Sequence, residues 1–211
     1  MPNPTVSDLA ARVRDAAPRC GTTRVVLIDG QAGAGKSTLA NRLAVALGGA
    51  ASGGAGTFLP DAPLAGSAPV QIVHGDDIYE GWGGLATLDA VLLGGILEPL
   101  AAGSDGAFRM WDWVEGRRSH TIAVPQRPYL VIEGVGVALP RARELAVLTV
   151  FVEARWEERL ARGVQRDHEA YDDVVPRWQA FERDEQAHHA RTGARNAADV
   201  RVDGTAPVPD Q

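Results

Sequence analysis

The sequence predicts an α/β fold in which a five-stranded parallel sheet is covered by helices on both faces. Short apolar runs alternate along the chain with longer segments of helical periodicity, which is typical of a parallel sheet. Three of these runs end in glycine beside acidic residues, at 29–30, 75–77 and 133–134. A glycine-rich loop connects the first run to the helix that follows it. Because ligands of such sheets bind at the carboxyl ends of the strands, we expect a binding site at this edge.

The composition limits the class of protein. The chain has 211 residues, enough for one domain with a full core and short for two. Its hydrophobic content of 45% and charged content of 23% are typical of a soluble globular protein. A net charge of −6 argues against nucleic acid or an acidic membrane surface as a partner, and no apolar run reaches the length of a membrane span. Cys20 is the only cysteine and the N-terminal segment lacks a signal-peptide core, so we expect a cytoplasmic protein.

The first elements follow in a regular order. A short amphipathic helix is predicted at 5–17, and the first strand at 25–28. The next helix, at 37–47, has leucines four residues apart and ends at a glycine pair. A further helix, capped by Thr87 or Asp89, is predicted from the helical spacing of its apolar residues.

The rest of the chain is interpreted in the same way. The later strands are predicted at 70–74, 129–132, 147–152 and 198–202, and the last two helices at 155–166 and 172–191. Residues 48–67 are rich in Gly, Ala, Ser and Pro and predict an irregular surface loop, for which a plain linker is the favoured interpretation. Residues 204–211 predict a frayed tail.

Residues 30–38 read GQAGAGKST and match the spacing of a phosphate-binding P-loop, G-x-x-x-x-G-K-[ST]. Lys36 is the only lysine of the chain. A compact ammonium group bridges phosphates in a tight loop where a planar guanidinium is too wide. The glycines let backbone N–H groups turn toward a polyphosphate, and the following helix directs its positive end at the anion. An ordinary glycine turn is the alternative, which the order of strand, loop and helix disfavours.

This loop predicts ATP and Mg²⁺ as ligands. The predicted cofactor-binding residues are Gly30, Gly33, Ala34, Gly35, Lys36, Ser37 and Thr38. The hydroxyl of Ser37 is a predicted ligand of Mg²⁺, and Glu133, at the end of a neighbouring strand, is predicted to hold the ion through a water. For Glu133 the alternative is helix capping or pairing with an arginine.

Two aspartates follow the second strand. Asp76 is predicted to be the general base that accepts the proton of an acceptor hydroxyl, with a solvated turn carboxylate as the alternative. Asp77 is either the hydrogen-bond partner of Asp76 or a turn residue. Which of the two is the base stays open at this point.

Three arginines predict a cationic lid. Arg159, Arg162 and Arg166 lie on one face of the predicted helix, where their guanidinium groups could fold over ATP and exclude water. We count these three with Lys36 and Asp76 as the predicted catalytic residues. An exposed face that pairs with neighbouring acidic residues is the alternative.

The aromatic residues carry a weaker signal. Trp111, Asp112 and Trp113 combine flat rings with a carboxylate, which suits an acceptor pocket, although tryptophans that pack a core compete with this interpretation. For Trp82, plain packing and a stacking platform are equally favoured. The pair at 188–189, two histidines in a polar helical stretch, is interpreted as solvated.

With these residues in place, the chain resembles the uridine kinase group of the P-loop kinases, whose relatives include phosphoribulokinase, nicotinamide riboside kinase and bacterial pantothenate kinase. The family's motifs fall on 30–38, Asp76-Asp77, Asp89, Trp111-Asp112-Trp113, Glu133-Gly134, Arg159, Arg162, Arg166, Asp167 and the Ala198-Asp199-Val200 strand start. The resemblance implies a three-layer P-loop NTPase sandwich with strand order 2-3-1-4-5 and a helical lid over about 155–195. It implies that Asp89 and the Trp111-Asp112-Trp113 segment bind the acceptor. The full set of predicted substrate-binding residues is Asp77, Tyr79, Asp89, Trp111, Asp112 and Arg118.

Two departures from the family pattern concern the acceptor. Uridine kinases carry a histidine shortly after the aromatic-Asp pair, but positions 115–117 here hold Glu, Gly and Arg. The aromatic residue before the aspartate is usually tyrosine, but it is Trp111 in this chain. Because the hydroxyl and the imidazole that recognise uracil are both missing, uridine does not follow as the acceptor.

The sequence therefore predicts an ATP-dependent kinase of a small hydroxyl metabolite, with a nucleoside-like acceptor favoured. A nucleoside monophosphate kinase stays open because Arg109, Arg117 and Arg118 could bind an acceptor phosphate. A nucleotide-binding regulatory ATPase without an acceptor is the second alternative. Relatives often form dimers or tetramers, so a homo-oligomer is a further expectation.

Overall fold

The computed structural model describes residues 3–56, 68–169 and 172–211. The strands, in chain order, are β1 Arg24–Gly30, β2 Val70–His74, β3 Gly106–Asp112, β4 Arg117–Val124, β5 Tyr129–Glu133, β6 Ala146–Glu153 and β7 Val200–Asp203. The α-helices are α1 Val6–Asp15, α2 Lys36–Ala46, α3 Glu98–Ala101, α4 Pro140–Leu145, α5 Trp156–Asp167, α6 Val174–Thr192 and α7 Ala194–Ala197. Two 3₁₀ segments, Gly75–Asp77 and Gly81–Ala86, and a π-helical segment, Ala90–Leu97, complete the described elements.

The central sheet is parallel and has the order β2-β5-β1-β6-β7. Numbered along the chain, its strands are arranged 2-3-1-4-5, so the predicted order is confirmed. β1 lies in the centre, where Val26 pairs with Val131 of β5 and with Leu148 of β6. A strand in this position needs apolar residues on both faces, and residues 25–30 are all buried.

The two faces of β1 contact separate apolar layers. Val26 and Ile28 pack with the buried residues of α1 and α2, such as Leu9. Val25 and Leu27 pack with the layer built by α3, α4, the π-helical segment and the β3–β4 hairpin. Burial of each such side chain contributes about 1.5–3 kcal/mol to folding. The sheet thus has helices on both sides, as predicted for a three-layer sandwich.

The two chain ends meet beside α1. Thr5 caps α1, since its hydroxyl accepts from the backbone N–H of Asp8 at 3.0 Å and the Asp8 carboxylate accepts from the Thr5 N–H at 3.2 Å. The backbone N–H of Val6 donates to Pro209 O at 2.8 Å, and Val208 is buried. These contacts hold the C-terminal segment against the domain, whereas the sequence predicted a frayed tail there.

The β3–β4 hairpin and α4 are absent from the sequence prediction. In β3, Phe108 and Met110 are buried and Arg109 is exposed, which is the alternation of a half-buried strand. The hairpin lies against the π-helical segment, where a Cβ on Gly95 would meet Ala107 O at 2.9 Å. This glycine therefore permits the close approach. The predicted helix from Asp89 forms, but as a π-helical segment that continues into α3.

The ends of β1, β2 and β5 meet at one edge of the sheet, which positions the cavity described below. The predicted helices at 155–166 and 172–191 form as α5 and α6 beside this edge. Of the predicted irregular loop at 48–67, residues 57–67 lie outside the described residues. No helix in the described part of the chain combines the length and apolarity needed to cross a membrane.

Candidate active site

A cavity of about 810 Å³ opens at the carboxyl edge of the sheet. Its walls come from the P-loop, the ends of β2 and β5, the β3–β4 hairpin and helices α5 and α6. The volume lies in the range of small-molecule sites. The motif residues that the sequence places far apart are thus brought to one place by the parallel sheet.

The P-loop has the geometry of an anion cradle. Gly33 and Gly35 have left-handed backbones, with φ of +74° and +101°, and a Cβ built on Gly35 would meet no atom within 4 Å. Lys36 starts α2, and its Nζ donates to Gln31 O at 2.8 Å. The open space above the glycines lies at the positive end of α2, where an anion is stabilised.

Two of the predicted cofactor-binding residues, Gly30 and Ala34, do not line this cavity, whereas Gly33, Gly35, Lys36, Ser37 and Thr38 do. A Cβ on Gly30 would lie 2.0 Å from Val152 O, so this glycine is required for the pairing of β1 with β6. Ala34 is buried. Ala34 borders a second cavity of about 370 Å³, whose lining also includes Gly35 of the P-loop and Arg162 of α5.

Ser37 and Glu133 meet at the mouth of the P-loop. The Ser37 hydroxyl donates to Glu133 Oε1 at 2.9 Å. His74 Nδ1 donates to the same oxygen at 2.6 Å, and its Nε2 lies 2.6 Å from the hydroxyl of Ser52. Burial lowers the pKa of His74, but the hydrogen bond and the negative charge of Glu133 outweigh it and leave the pKa raised.

Asp76 and Asp77 lie in different surroundings. Asp76 lines the cavity, and its side chain is open to the solvent there. Partial loss of hydration in the cavity raises the pKa of Asp76, and the negative charge of Glu133 raises it further. The positive charges of Arg166 and Lys36 oppose this rise. Because water reaches this carboxylate, its loss of hydration is smaller than in a closed site.

Asp77 is buried and does not line the cavity, so its predicted contact with substrate is not supported. Its Oδ1 accepts from the backbone N–H of Gly56 at 2.6 Å. Its Oδ2 is buried without a hydrogen-bond partner in the described chain. Burial raises the pKa of Asp77 to about 6. This carboxyl group therefore faces the 52–56 loop and not the cavity.

The three predicted lid arginines separate into two classes. Arg162 and Arg166 line the cavity. Arg162 donates to Gly33 O at 3.2 Å and to Gly204 O at 3.1 Å, so it joins the P-loop to the segment after β7. Arg166 makes two hydrogen bonds with Asp167, at 2.6 and 3.0 Å. Both arginines belong to the part of the cavity wall that comes from α5.

Arg159 is not in the cavity, which corrects its predicted place above ATP. Its side chain is 1% exposed and lies between Glu182 and Glu185 of α6, at 2.8 and 3.1 Å. It also donates to the P-loop carbonyl of Ala32 at 3.2 Å. The helical spacing predicted that Arg159 and Arg162 share one face. In the structure the guanidinium of Arg159 is instead paired with two carboxylates of α6.

Glu185 completes this contact, and no sequence motif indicated it. Its Oε2 accepts from the backbone N–H of Ala32 at 2.8 Å, so Arg159 and Glu185 hold both polar groups of one loop residue. We call Arg159, Glu182 and Glu185 the clasp. Burial, and a proton shared with Glu182, raise the pKa of Glu185 to about 8.

Four aromatic side chains form one wall of the cavity, which we call the aromatic wall: Trp82, Trp111, Trp113 and Phe181. Trp82 contacts Trp113 edge to face, with ring centroids 6.2 Å apart, and contacts Phe181 at 5.7 Å. The indole N–H of Trp113 donates to the backbone oxygen of Asp76 at 2.7 Å. The wall thus reaches from the candidate base to α6.

Asp112 lines the cavity next to this wall. Its Oδ1 accepts from the backbone N–H groups of Val114 and Glu115, both at 2.9 Å, which closes the hairpin turn. Tyr79 also lines the cavity, but its hydroxyl donates to Val135 O at 2.6 Å. Tyr79 therefore contributes its ring to the site while its hydroxyl is occupied.

Besides Asp77, two further predicted substrate-binding residues do not line the cavity. Asp89 is exposed, and its carboxylate accepts from the adjacent N–H of Ala90 at the start of the π-helical segment. Arg118 bonds Glu80 at 3.2 Å and donates to Arg109 O at 2.8 Å, within the hairpin. The sequence spacing did not reveal these local partners. The guanidinium of Arg118 also lies over the ring of Trp111, 5.8 Å from its centroid, so Arg118 adjoins the cavity wall from behind. A role of either residue in acceptor binding stays a prediction.

The histidine pair is not solvated as interpreted, since His188 is buried and His189 is half-buried. His188 is 3% exposed and donates to Gly136 O at 3.3 Å. His189 donates to the buried Asp29 at 3.0 Å. Burial raises the pKa of Asp29, but the hydrogen bond from His189 and backbone donors outweigh it, so the pKa is lowered. This network fixes the end of β1, just before the P-loop.

The loop before residue 57 also belongs to the site, although a plain linker was the favoured interpretation. Residues 54–56 line the cavity. Ser52 contacts His74, and Gly56 bonds Asp77, as described above. A stretch of small residues without periodicity gives no sequence signal for such contacts.

The solved structures that are similar to this chain include the following three. A candidate fructose transport system kinase from Silicibacter sp. TM1040 matches with a TM-score of 0.62 and 21% identity, over 94% of this chain and 99% of that one. A possible uridine kinase from Bacillus stearothermophilus matches with a TM-score of 0.58 and 20% identity, over 94% and 97%. A candidate P-loop kinase with a circular permutation, from Saccharomyces cerevisiae, matches at 0.55 and 12%, over 95% and 98%.

The protein has the fold of the P-loop kinases. No protein-family model matches the sequence. No curated protein matches it either. Since identities of 12–21% establish the fold alone, the activity has to be argued from the cavity.

Proposed function

We propose that this protein is an ATP-dependent phosphotransferase that acts on the hydroxyl group of a small acceptor. The observation that carries this proposal is the content of the main cavity. A P-loop with Lys36 and Ser37, a carboxylate, Asp76, and two arginines of α5 line the same space. Phosphoryl transfer requires a cradle for the phosphates, a group that accepts the acceptor proton, and positive charge over the migrating phosphoryl group. All three requirements have candidate residues here.

The two cavities are adjacent, since Gly35, Thr38 and Arg162 line both of them, and a bound nucleotide would extend from one into the other. The phosphates would bind the N–H groups of the P-loop, above Gly33 and Gly35. The second cavity begins on the other side of Arg162 and is lined by residues 204–208, the segment after β7. A nucleobase and ribose attached to those phosphates would extend into it. ATP is the proposed donor because the similar solved structures are candidate kinases, and kinases transfer the γ-phosphoryl group of ATP.

Mg²⁺ fits the residues present. Ser37 and Glu133 offer a hydroxyl and a carboxylate within 2.9 Å of each other at the loop mouth, and hard oxygen ligands are those that Mg²⁺ prefers. In the described part of the chain no group of three or more His, Cys, Asp or Glu side chains forms a metal site, which agrees with an ion held partly by phosphates. When bound, the ion would neutralise charge on the β- and γ-phosphates.

The protein's own groups account for the remaining steps. Lys36 would exchange its contact with Gln31 O for the terminal phosphates. The acceptor hydroxyl would give its proton to Asp76 as its oxygen bonds to the γ-phosphorus, and ADP would leave with the electrons of the broken P–O bond. Arg162 and Arg166 would stabilise the charge on the transferred group. Because Asp76 is open to the solvent, transfer to a hydroxyl requires an acceptor that displaces water from this carboxylate.

The nature of the acceptor is less determined than the reaction. Of the two solved structures with the higher scores, one is a candidate fructose transport system kinase and the other a possible uridine kinase. These names differ in acceptor, so neither transfers to this chain. We keep a nucleoside-like hydroxyl compound as the favoured class, on the flat rings of the wall.

The experiment is a search for acceptor-stimulated ADP release. The purified chain with ATP and Mg²⁺ is incubated with nucleosides, nucleoside monophosphates, sugars and aromatic alcohols, and the product is identified by ³¹P NMR. We expect at least one hydroxyl compound to raise ADP release and to appear as a phosphate ester. ATP binding in calorimetry without a response to any acceptor would favour the regulatory ATPase instead. Absence of ATP binding would refute both functions.

A further inference from the structure

Two successive peptide groups of the P-loop are held by side chains of α2, α5 and α6. In the first, the Ala32 N–H donates to Glu185 Oε2 at 2.8 Å. The carbonyl of the same peptide group, Gln31 O, accepts from Lys36 Nζ at 2.8 Å. In the second, Ala32 O accepts from a guanidinium nitrogen of Arg159 at 3.2 Å. Three ionisable side chains thus contact three consecutive polar groups of the loop backbone.

The planarity of the peptide bond turns these contacts into directions. In a trans peptide the C=O and the N–H point to opposite sides of the same plane. Because Ala32 O is held on the Arg159 side, the N–H of Gly33 is directed to the other side. Gly33 lines the main cavity, whereas Arg159 is not part of its described lining. Arg159 therefore fixes the orientation of a donor that belongs to the phosphate cradle.

The backbone of Gly33 also packs directly on α5. A Cβ built on this glycine would lie 2.8 Å from Arg159 O and 3.1 Å from Arg159 Cα. Arg162, nearly one turn further along α5, donates to Gly33 O at 3.2 Å. The loop segment 32–33 is therefore placed by its contact with α5, while the clasp determines how its peptide groups are rotated.

The clasp is buried beneath this segment. Arg159 is 1% exposed, and Glu185 is fully buried. The Arg159 guanidinium also donates to Ala154 O at 3.1 Å and lies over the ring of Trp156, 5.2 Å from its centroid. Because the raised pKa of Glu185 keeps its carboxyl group protonated at neutral pH, the cation of Arg159 faces one anion, Glu182. The clasp thus places no net negative charge behind the phosphate cradle.

Stability alone does not require charged groups in this position. Buried ion pairs contribute little compared with well-packed apolar side chains, since their loss of hydration offsets their attraction. An apolar pair of similar volume would fill the same space, but it could not bond to the N–H and the C=O of Ala32. The polar groups of Arg159 and Glu185 therefore add direction to the loop backbone.

From this juxtaposition we propose that Arg159 and Glu185 are positioning residues for the nucleotide phosphates. They orient the peptide groups on either side of Ala32, so that the N–H donors of the P-loop converge on the anion. The inference rests on the proposed function, since it concerns how the same loop binds ATP. It goes beyond that function because it assigns a role in phosphate binding to two side chains that lie outside the cavity lining.

The test compares two identical substitutions on α6. Glu185→Leu removes the acceptor of the Ala32 N–H, whereas Glu182→Leu removes a carboxylate that contacts Arg159 but not the loop. Binding of ATP with Mg²⁺ to the full chain is measured by calorimetry, and kcat and KM by ADP release. We expect Glu185→Leu to raise the Kd and the KM for ATP about tenfold with kcat changed less than about threefold. Glu182→Leu should keep the Kd within about twofold of the wild type, because Glu185 can then ionise and pair with Arg159.

Two further variants separate positioning from packing. Glu185→Gln keeps a carbonyl oxygen for the Ala32 N–H and should restore the affinity for ATP that Glu185→Leu loses. Arg159→Lys keeps the buried charge, but one ammonium group cannot reach the carboxylates and Ala32 O together, so the Kd for ATP should rise about fivefold. Arg159→Lys also decides the question if Glu185→Leu does not fold, which circular dichroism would show.

A merely structural clasp gives a different pattern, in which the leucine variants lose stability alike and the Kd for ATP stays unchanged in every folded variant. That result, or equal weakening of ATP binding in Glu182→Leu and Glu185→Leu, would overturn the inference. An unchanged Kd in Arg159→Lys would do the same.

The outcomes also separate this inference from the proposed function. Acceptor phosphorylation by the wild type, with an unchanged Kd in the clasp variants, would refute the inference and leave the phosphotransferase intact. Conversely, the expected pattern of Kd values without phosphorylation of any acceptor would support the positioning role and refute the phosphotransferase.

Discussion

The two ends of the main cavity are built on different principles. At the end proposed for the phosphates, backbone groups would do the binding, and buried side chains such as Arg159 and Glu185 hold that backbone in place. At the acceptor end, side chains themselves form the wall, on a hairpin and a short 3₁₀ segment rich in glycine. Phosphate is the same in every nucleotide, whereas acceptors differ. The invariant part of the proposed ligand is thus matched by a loop that buried side chains hold in place, and the variable part by side chains that can be exchanged without changing the fold.

The largest expected effect lies at the phosphate end. Lys36→Ala removes the ammonium group that neutralises the phosphates, and ADP release should fall on the order of 10³-fold. Lys36→Arg should fail to restore it, since the guanidinium is too wide for the loop. The measurement is acceptor-stimulated ADP release, with circular dichroism to show that the fold survives. Full activity in either variant would show that the loop does not act on the phosphates.

The next effect tests the boundary between the two ends. Asp76→Asn should lower kcat by about 10²-fold, because the amide cannot accept the acceptor proton, while ATP affinity in calorimetry stays nearly intact. Asp77→Asn is the matched control, because Asp77 is buried outside the cavity. This variant should retain most of the wild-type kcat. Reversal of the two results would move the role of base to Asp77.

A smaller effect is confined to the acceptor end. Trp113→Phe keeps an aromatic ring but removes the indole N–H that donates to the Asp76 backbone at 2.7 Å. We expect kcat/KM for the acceptor to fall about tenfold, since a lost hydrogen bond is worth about 1 kcal/mol and the base loses its positioning. The KM for ATP should not change. Trp156→Phe, a tryptophan outside the cavity lining, serves as the control; an equal loss there would contradict the assignment.

The clasp predicts a pH dependence of stability. The Glu185 carboxyl keeps its proton in the folded protein up to about pH 8, whereas in the unfolded chain it ionises near its ordinary value of 4.5. Between these values the folded state binds the additional proton, so the free energy of unfolding decreases as the pH rises. Glu185→Gln stays neutral at all pH values and should remove about 1–3 kcal/mol of this decrease, as measured by urea denaturation between pH 5 and 8.

Asp184→Asn provides the control for the clasp, because Asp184 is exposed on the same helix. It should keep the pH dependence of the wild type. A wild-type stability that rises from pH 5 to 8, or one that falls equally in Glu185→Gln, would contradict a protonated Glu185 behind the P-loop.

The smallest effect concerns a residue that the structure places outside the described cavity lining. Asp89→Asn should change kcat/KM for any acceptor by less than about twofold, because its carboxylate is exposed and bonds only to the adjacent Ala90 N–H. A loss of tenfold or more would show that Asp89 contacts the acceptor, and the acceptor end would then extend beyond the described cavity lining.

Much of the fold could be predicted from the sequence, because the spacing of apolar residues and the glycine or proline residues that end an element are local signals. Residues 70–74 form the strand with the predicted bounds, and α5 and α6 lie within a residue or two of their predicted positions. The β3–β4 hairpin was missed because its alternation is short and interrupted by polar residues. The π-helical segment was predicted as a regular helix, since apolar spacing alone does not distinguish the two.

The site was predictable to a different degree at its two ends. The P-loop motif fixes its own conformation through glycine, so Gly33, Gly35 and Lys36 could be placed from the sequence. The arginines of α5 could not be sorted, because helical spacing gives Arg159 and Arg162 the same face. The contacts of Glu185, His74 and Ser52 carry no motif, and only the folded chain brings them to the loop.

The sequence by itself determined the order of strands and loops, the position of the P-loop and the sheet edge where acidic residues gather, because these depend on local backbone preferences and on the geometry of parallel sheets. Tertiary structure alone decided which charges face the ligand. A buried guanidinium must be neutralised by whatever carboxylate lies nearest in space, and α6, far along the chain, supplied that partner for Arg159 and left Arg162 and Arg166 to the cavity.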